Sequence, residues 1–112
     1  ITECVNYAEE QTKKFGLRAP MVGHLGDGNF HVLLPFDPKK KETYDKIREF
    51  NDLLIKKALK LNGTITGEHG IGLHKKEYLL EQHPDNIPIM KSIKRTLDPN
   101  GIMNPGKIFD LN

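Results

Sequence analysis

Asp27-Gly28 sits at the centre of Gly23-His24-Leu25-Gly26-Asp27-Gly28-Asn29-Phe30-His31, and no other pair in the chain restricts its path as strongly. Asp-Gly is a strong hairpin signal, because both central residues of a type I′ turn need positive φ. With that pair at the turn, residues 20–34 fold back as two antiparallel strands. Gly26 then faces Asn29, Leu25 faces Phe30, and His24 faces His31. Directly opposed residues hold their Cβ atoms about 4.5–5.5 Å apart and project from one face. Two imidazoles so placed can chelate one cation. The opposite face takes Leu25, Phe30, Val32 and Leu34, so the hairpin has a core side and a chemical side. The plainer alternative is a hairpin with two surface histidines, since histidine pairs are often incidental.

A second glycine-rich segment, Thr66-Gly67-Glu68-His69-Gly70-Ile71-Gly72, adds a carboxylate and a third imidazole. Flanking glycines permit tight turns and leave space for a ligand. Imidazoles and a carboxylate on such backbone are the groups a metal-assisted site uses. The plainer alternative here is a glycine-rich approach to a helix with an acidic residue in its first turn.

With 112 residues the chain forms one domain at most. Its 37% hydrophobic content and lack of Trp predict a small core. A net charge of +2 is too weak to argue for nucleic acid, and the lysines, Lys39-Lys40-Lys41 included, read as solvated. No apolar run approaches the roughly 20 residues of a membrane span, and no signal peptide is visible. Cys4 stands alone, which predicts no disulfide framework and a reducing, cytoplasmic setting, with peripheral membrane attachment left open. A start at Ile1, directly in a helical pattern, suggests a piece of something longer.

Ile1, Val5, Ala8, Thr12 and Phe15 recur at helical spacing, with Gly16 as the stop. Pro20 opens the hairpin and Pro35-Phe36-Asp37-Pro38 closes it. Tyr44, Ile47, Phe50, Leu54, Ala58 and Leu61 mark a long amphipathic helix ended by Asn62-Gly63. Thr64-Ile65-Thr66 reads as a strand or an extended approach to Glu68. A helix with Tyr78 and Leu79 follows Gly72. Another carries Ile87, Met90, Ile93 and Leu97, with Pro88 in its first turn. Asp98-Pro99-Asn100-Gly101 is a turn, and an irregular tail begins at Ile102. The expected fold is therefore α+β: a small antiparallel sheet, hairpin 20–34, packed with four helices. An isolated hairpin is marginal. Its missing strands come either from chain outside these residues or from a second copy, as in a homodimer.

His24-to-His31, Glu68-His69 with Lys75 three residues beyond Gly72, and Leu97-Asp98-Pro99-Asn100-Gly101-Ile102-Met103-Asn104-Pro105-Gly106-Lys107-Ile108-Phe109 occur in one order. In this the chain resembles the C-terminal part of the FAD-linked oxidases of the vanillyl-alcohol oxidase superfamily, in the D-2-hydroxyacid dehydrogenase branch. The resemblance implies a fragment of a ferredoxin-like cap domain, with residues 1–97 in the substrate-binding part. It implies that residues 98–112 form a tail returning to an FAD-binding domain. It further implies His24, His31 and Glu68 as ligands of a divalent metal, zinc or manganese, and His69 as general base. Asn29 and Lys75 would orient the substrate, and Asn104 and Lys107 would lie toward the flavin. Some relatives carry a polar residue two places after the second histidine. Leu33 stands there in this chain, which bears on substrate choice.

The implied reaction is oxidation of a 2-hydroxy acid of the D-lactate or glycolate type, with proton loss to an imidazole and hydride transfer to flavin. No stretch here resembles a flavin-binding domain, so the chain alone is expected to bind no FAD and to be inactive. Two rival readings need no flavin. One is a stand-alone metal-binding module or metal-dependent hydrolase using the same ligands, and the other is a non-enzymatic interaction domain.

Overall fold

A computed structural model of the chain describes residues 1–37 and 39–111. Pro38, expected to help close the hairpin, and Asn112, the end of the tail, lie outside the described residues. The described chain divides into two compact units, Ile1–Gly67 and the segment from Glu68 onward.

In the first unit, the helical spacing from Ile1 to Phe15 yields helix α1 over Thr2–Phe15. Gly16 ends it in the left-handed conformation, φ 63°, and the Leu17 N–H closes the last turn on the Thr12 carbonyl at 2.9 Å. Strands β1 (Met21–Val22) and β2 (His31–Val32) pair antiparallel, and the Leu33 N–H donates to the Pro20 carbonyl to extend the ladder. Helix α2 spans Lys41–Lys60, starting on the lysine run ahead of Tyr44. It stops at Leu61, after which Asn62 takes the left-handed φ of 57°. The chain passes close at Gly63, where a Cβ would sit a tight 3.0 Å from the Ala58 carbonyl oxygen.

The core of this unit lies between α1 and α2, where Cys4, Ala8, Phe50 and Ile55 are buried. Phe15 meets Phe50 edge to face, with ring centroids 6.3 Å apart. Burial pushes the Cys4 thiol up, away from thiolate reactivity. The outer faces carry i,i+4 pairs such as Lys14–Glu10 and Lys56–Asp52, which are solvated and contribute little.

In the second unit, α3 covers Lys76–Gln82 and α4 covers Ile87–Leu97, joined by a 3-10 turn over Pro84–Asn86. Pro88 sits in the first turn of α4, where a missing N–H costs nothing. Leu79 and Ile87 are buried, but Ile93 and Leu97 of the expected core stripe are exposed. Too little chain packs here to cover them. A buried carboxylate fastens the end of α4 instead. Asp98, 4% exposed, accepts hydrogen bonds from the N–H groups of Ile102 and Met103 and from the Lys94 ammonium. The tail beyond it has no helix or strand among the described residues.

The chain is thus α+β, with four helices and one two-stranded antiparallel sheet among the described residues. No described helix is long and apolar enough to cross a membrane.

Phe50→Ala should destabilise the first unit by about 3–5 kcal/mol through the cavity it leaves, read as a lower urea midpoint. A second expectation concerns acid. The Lys94 ammonium holds the Asp98 carboxyl below its ordinary value of 3.8, helped by the Met103 and Ile102 N–H groups against the opposing effect of burial. A lowered folded value means the contribution is complete above 3.8 and disappears as pH falls through the folded value. Asp98→Asn should therefore unfold at lower urea than wild type near neutrality, with the gap closing below that pH.

Candidate functional site

Asp27 does not adopt positive φ, so the type I′ turn does not form. The chain instead makes a 3-10 turn over Leu25–Asp27, ended by Gly28 at φ 78°. The His24 carbonyl accepts from the N–H groups of Asp27, at 2.9 Å, and Asn29, at 3.2 Å. His24 therefore belongs to the loop, and the strands pair Val22 with His31 and Met21 with Val32. This corrects the expected facing of His24 and His31. Three close backbone hydrogen bonds within residues 24–29 outcompete the two-residue turn, which would have needed Asp27 left-handed. Opposed residues share a face. His31 shares its face with exposed Val22, while half-buried Met21 and Val32 point the other way. Leu25, drawn into the turn, is exposed rather than core; Phe30, Val32 and Leu34 are half-buried.

Two glycines explain how the loop closes. A Cβ on Gly23 would fall 2.5 Å from the Phe30 Cα and 2.7 Å from the Asn29 carbonyl oxygen. A Cβ on Gly67 would fall 2.1 Å from Asn29 Oδ1 and 2.7 Å from its Cγ. The 29–30 backbone thus runs against bare Gly23, and the Asn29 side chain lies near bare Gly67. Thr64-Ile65-Thr66 forms no strand; it is the extended approach, with Ile65 buried and the Thr66 hydroxyl oxygen buried without a hydrogen-bond partner among the described residues.

In the second unit, Glu68 and His69 stand side by side, with Nε2 3.7 Å from Oε1 and both side chains largely exposed. Gly70, φ 74°, and Gly72, φ 55°, bend the loop where a side chain would strain it. Lys75 caps the start of α3, and partial burial pulls its ammonium below the ordinary lysine value. The tail returns to this region. The Ile108 N–H donates to the Gly72 carbonyl at 2.8 Å, and the Lys76 ammonium bridges both Asp110 oxygens and the Gly106 carbonyl. Asn104 and Lys107 line a cleft of about 440 Å³ with Met103, Pro105 and Phe109. His74 is exposed, and His83 stands at the C-terminal cap of α3.

The expected site residues thus fall in both units: His24, Asn29 and His31 in the first, and Glu68, His69, Lys75, Asn104 and Lys107 in the second. Sequence reasoning missed three features: the seat of Asn29 on Gly67, the bonds Asp98 makes beyond a simple turn, and the Lys76 anchor. Asp-Pro-Asn-Gly does signal an Asp side chain that bonds ahead to backbone N–H groups. Nothing in the sequence marked the other two, which join residues 38 and 34 positions apart.

Gly23→Ala should lower the melting temperature, because the methyl meets backbone that cannot move aside and the position keeps positive φ. Gly26→Ala, in the same loop with nothing within 4 Å, should leave it almost unchanged. Equal effects in thermal unfolding would refute the close approach at Gly23.

Comparison with known proteins places these features. Residues 1–108 match the family described as FAD linked oxidases, C-terminal domain. A Danio rerio protein named "Probable D-lactate dehydrogenase, mitochondrial" is 45% identical over 85% of this chain and 19% of its own length. D-lactate dehydrogenase [cytochrome], mitochondrial, of Kluyveromyces lactis is 39% identical over 100% of the chain and 19% of its own length. Glycolate oxidase subunit GlcD of Bacillus subtilis is 36% identical over 97% of the chain and 23% of its own length. The chain spans about a fifth of the length of these curated relatives. With a family match across nearly all its residues, the chain belongs to the FAD-linked oxidase C-terminal domain family.

Proposed function

We propose that this chain supplies the cation ligands and the proton acceptor for oxidation of a 2-hydroxy acid by an FAD-linked enzyme, with D-lactate or glycolate as the substrate class. His24, His31 and Glu68 hold a divalent cation. Two neutral imidazoles and a carboxylate form a donor set that zinc or manganese accepts, leaving positions open for substrate. When bound, the cation supplies Lewis acidity and the flavin a hydride acceptor.

The chain's own groups do the rest. His69 takes the proton of the substrate hydroxyl, which readies the carbinol carbon to give up its hydride. Lys75, an ammonium in a half-buried setting, pairs with the substrate carboxylate. Asn104 and Lys107, an amide and an ammonium beside the tail cleft, lie toward the flavin. The observation that carries this reading is an imidazole beside a carboxylate, His69 and Glu68, on a glycine-rich loop of an FAD-linked oxidase family chain. The names of the relatives, D-lactate dehydrogenases and a glycolate oxidase subunit, support the substrate class. Completion of the two-stranded sheet by strands from elsewhere, or from a second copy, belongs to the same proposal, since such a hairpin is marginal alone. Lone, buried Cys4 fits a reducing compartment.

The test combines metal analysis with turnover, both on the whole FAD-containing enzyme of which this chain is a part. His31→Ala and Glu68→Ala should each lose a stoichiometric divalent ion that wild type carries. His69→Ala should keep the ion while oxidation of D-lactate or glycolate falls about 10²–10⁴-fold, the usual contribution of a general base. Equal metal content in wild type, His31→Ala and Glu68→Ala would rule out the ligand set. Undiminished turnover in His69→Ala would rule out the base.

A further inference from the structure

We infer that Lys94 is a positioning residue: its ammonium, bridging the Asp98 carboxylate and the Met103 carbonyl, fixes the turn 104–107 in the shape that meets the flavin. The inference rests on the proposed placement of Asn104 and Lys107 toward the flavin and deepens it. All of its contacts lie within the second unit.

The residue just ahead of the turn is held at both of its peptide groups. The Met103 N–H donates to Asp98 Oδ2 at 2.9 Å, and the Met103 carbonyl accepts from the Lys94 ammonium at 2.5 Å. The same ammonium lies 2.5 Å from Asp98 Oδ2, and the Asp98 side chain is only 3% exposed. The other carboxylate oxygen accepts the Ile102 N–H at 3.0 Å. A carboxylate buried this far needs a cation beside it, and Lys94 is that cation. One ammonium thus ties the end of α4 to the entry of the turn by two charge-assisted bonds.

The turn it holds is strained. The Lys107 N–H closes it on the Asn104 carbonyl at 3.3 Å, with Asn104 at φ 46° and Gly106 at φ 70°. Just beyond, the Phe109 N–H donates to the Lys107 carbonyl at 2.8 Å, a γ-turn centred on Ile108 at φ 69°. A β-branched side chain disfavours that region. Backbone of this kind relaxes unless its surroundings hold it, and such strain gathers where a site must keep one shape. On the exit side the Ile108 N–H is bound to the Gly72 carbonyl, and Lys76 takes the Gly106 carbonyl and Asp110. The Lys76–Asp110 pair has a largely exposed carboxylate and is weakened by solvent. The buried clamp at Lys94 is therefore the firmer of the two. Asn104 and Lys107 stand at the two ends of the turn, and a turn already formed presents both to a ligand without the cost of ordering them.

The test uses the whole FAD-containing enzyme, stripped of flavin and titrated with FAD by the change in flavin fluorescence, with thermal unfolding measured alongside. Lys94→Met should weaken FAD binding about tenfold, the order expected when one or two freed side chains must be ordered on binding. That variant leaves a buried carboxylate without its cation, so Lys94→Met/Asp98→Asn is made beside it. The amide needs no cation, yet the Met103 carbonyl stays unheld, so this variant should fold and still bind FAD weakly. Lys94→Arg keeps a cation able to reach both oxygens and should restore most of the affinity. Asn104→Ala and Lys107→Ala test the underlying reading. If both bind FAD as wild type does, the turn does not meet the flavin, and reading and inference fall together. If they weaken binding while Lys94→Met and the double variant do not, the reading stands and the positioning role is overturned. A lower melting temperature at unchanged FAD affinity, or weakened binding that Lys94→Arg fails to restore, also overturns it.

Discussion

The passage of the Asn29-Phe30 backbone against the bare backbone of Gly23 is the constraint on which the first unit's site segment depends. Backbone atoms do not yield as flexible side chains do, so a methyl at Gly23 would displace the loop rather than nudge it. Once residues 29–30 are wedged there, the short ladder of Val22 with His31 and Met21 with Val32 is set. So is the exposed loop position of His24. The α1–α2 core, with Phe50 fully buried in it, is the packed part of the same unit.

The second unit uses polar fastenings where the first uses packing. It buries few apolar side chains, and Ile93 and Leu97 remain in solvent. Its irregular tail is held by charge-assisted hydrogen bonds, Asp98 at one end and Lys76 with Asp110 at the other. Such bonds are stronger than neutral ones, and they place the tail against the Gly72 loop through the Ile108 N–H. Ile108 accepts the conformational strain of a positive φ, 69°, to make that bond. The glycine-rich loop with Glu68 and His69 therefore sits in a setting defined by hydrogen bonds on its tail side, while its imidazole and carboxylate are largely exposed.

Family membership gives these features a common purpose. A chain of an FAD-linked oxidase C-terminal domain has no need to carry the redox group to contribute to its chemistry. In the function proposed above, its contribution would be placement: donors for a cation and a base for a proton, on glycine-rich backbone that leaves room for a small acid.

Much of this was legible from residue order. Helix positions came from apolar spacing at 3.6 residues per turn, and stops came from Gly16 and Asn62-Gly63, because those signals are local. The candidate donors were legible too, since histidine, glutamate and glycine carry their chemistry wherever they sit. The register of the hairpin was not, because Asp27-Gly28 permits a two-residue turn without compelling one. A set of hydrogen bonds to the His24 carbonyl, together with the Gly23 contact, chose a wider loop. The stripe on α4 was legible as a helix but not as an exposed one, since burial depends on what lies opposite. In the same way, glycine at 67 could be read as freedom of the backbone, whereas the fold shows it to be room for Asn29. Local pattern thus decided which helices form and which groups are candidates for the chemistry. Contacts between residues far apart in the chain decided which way those groups face, because only packing sets the space each has left.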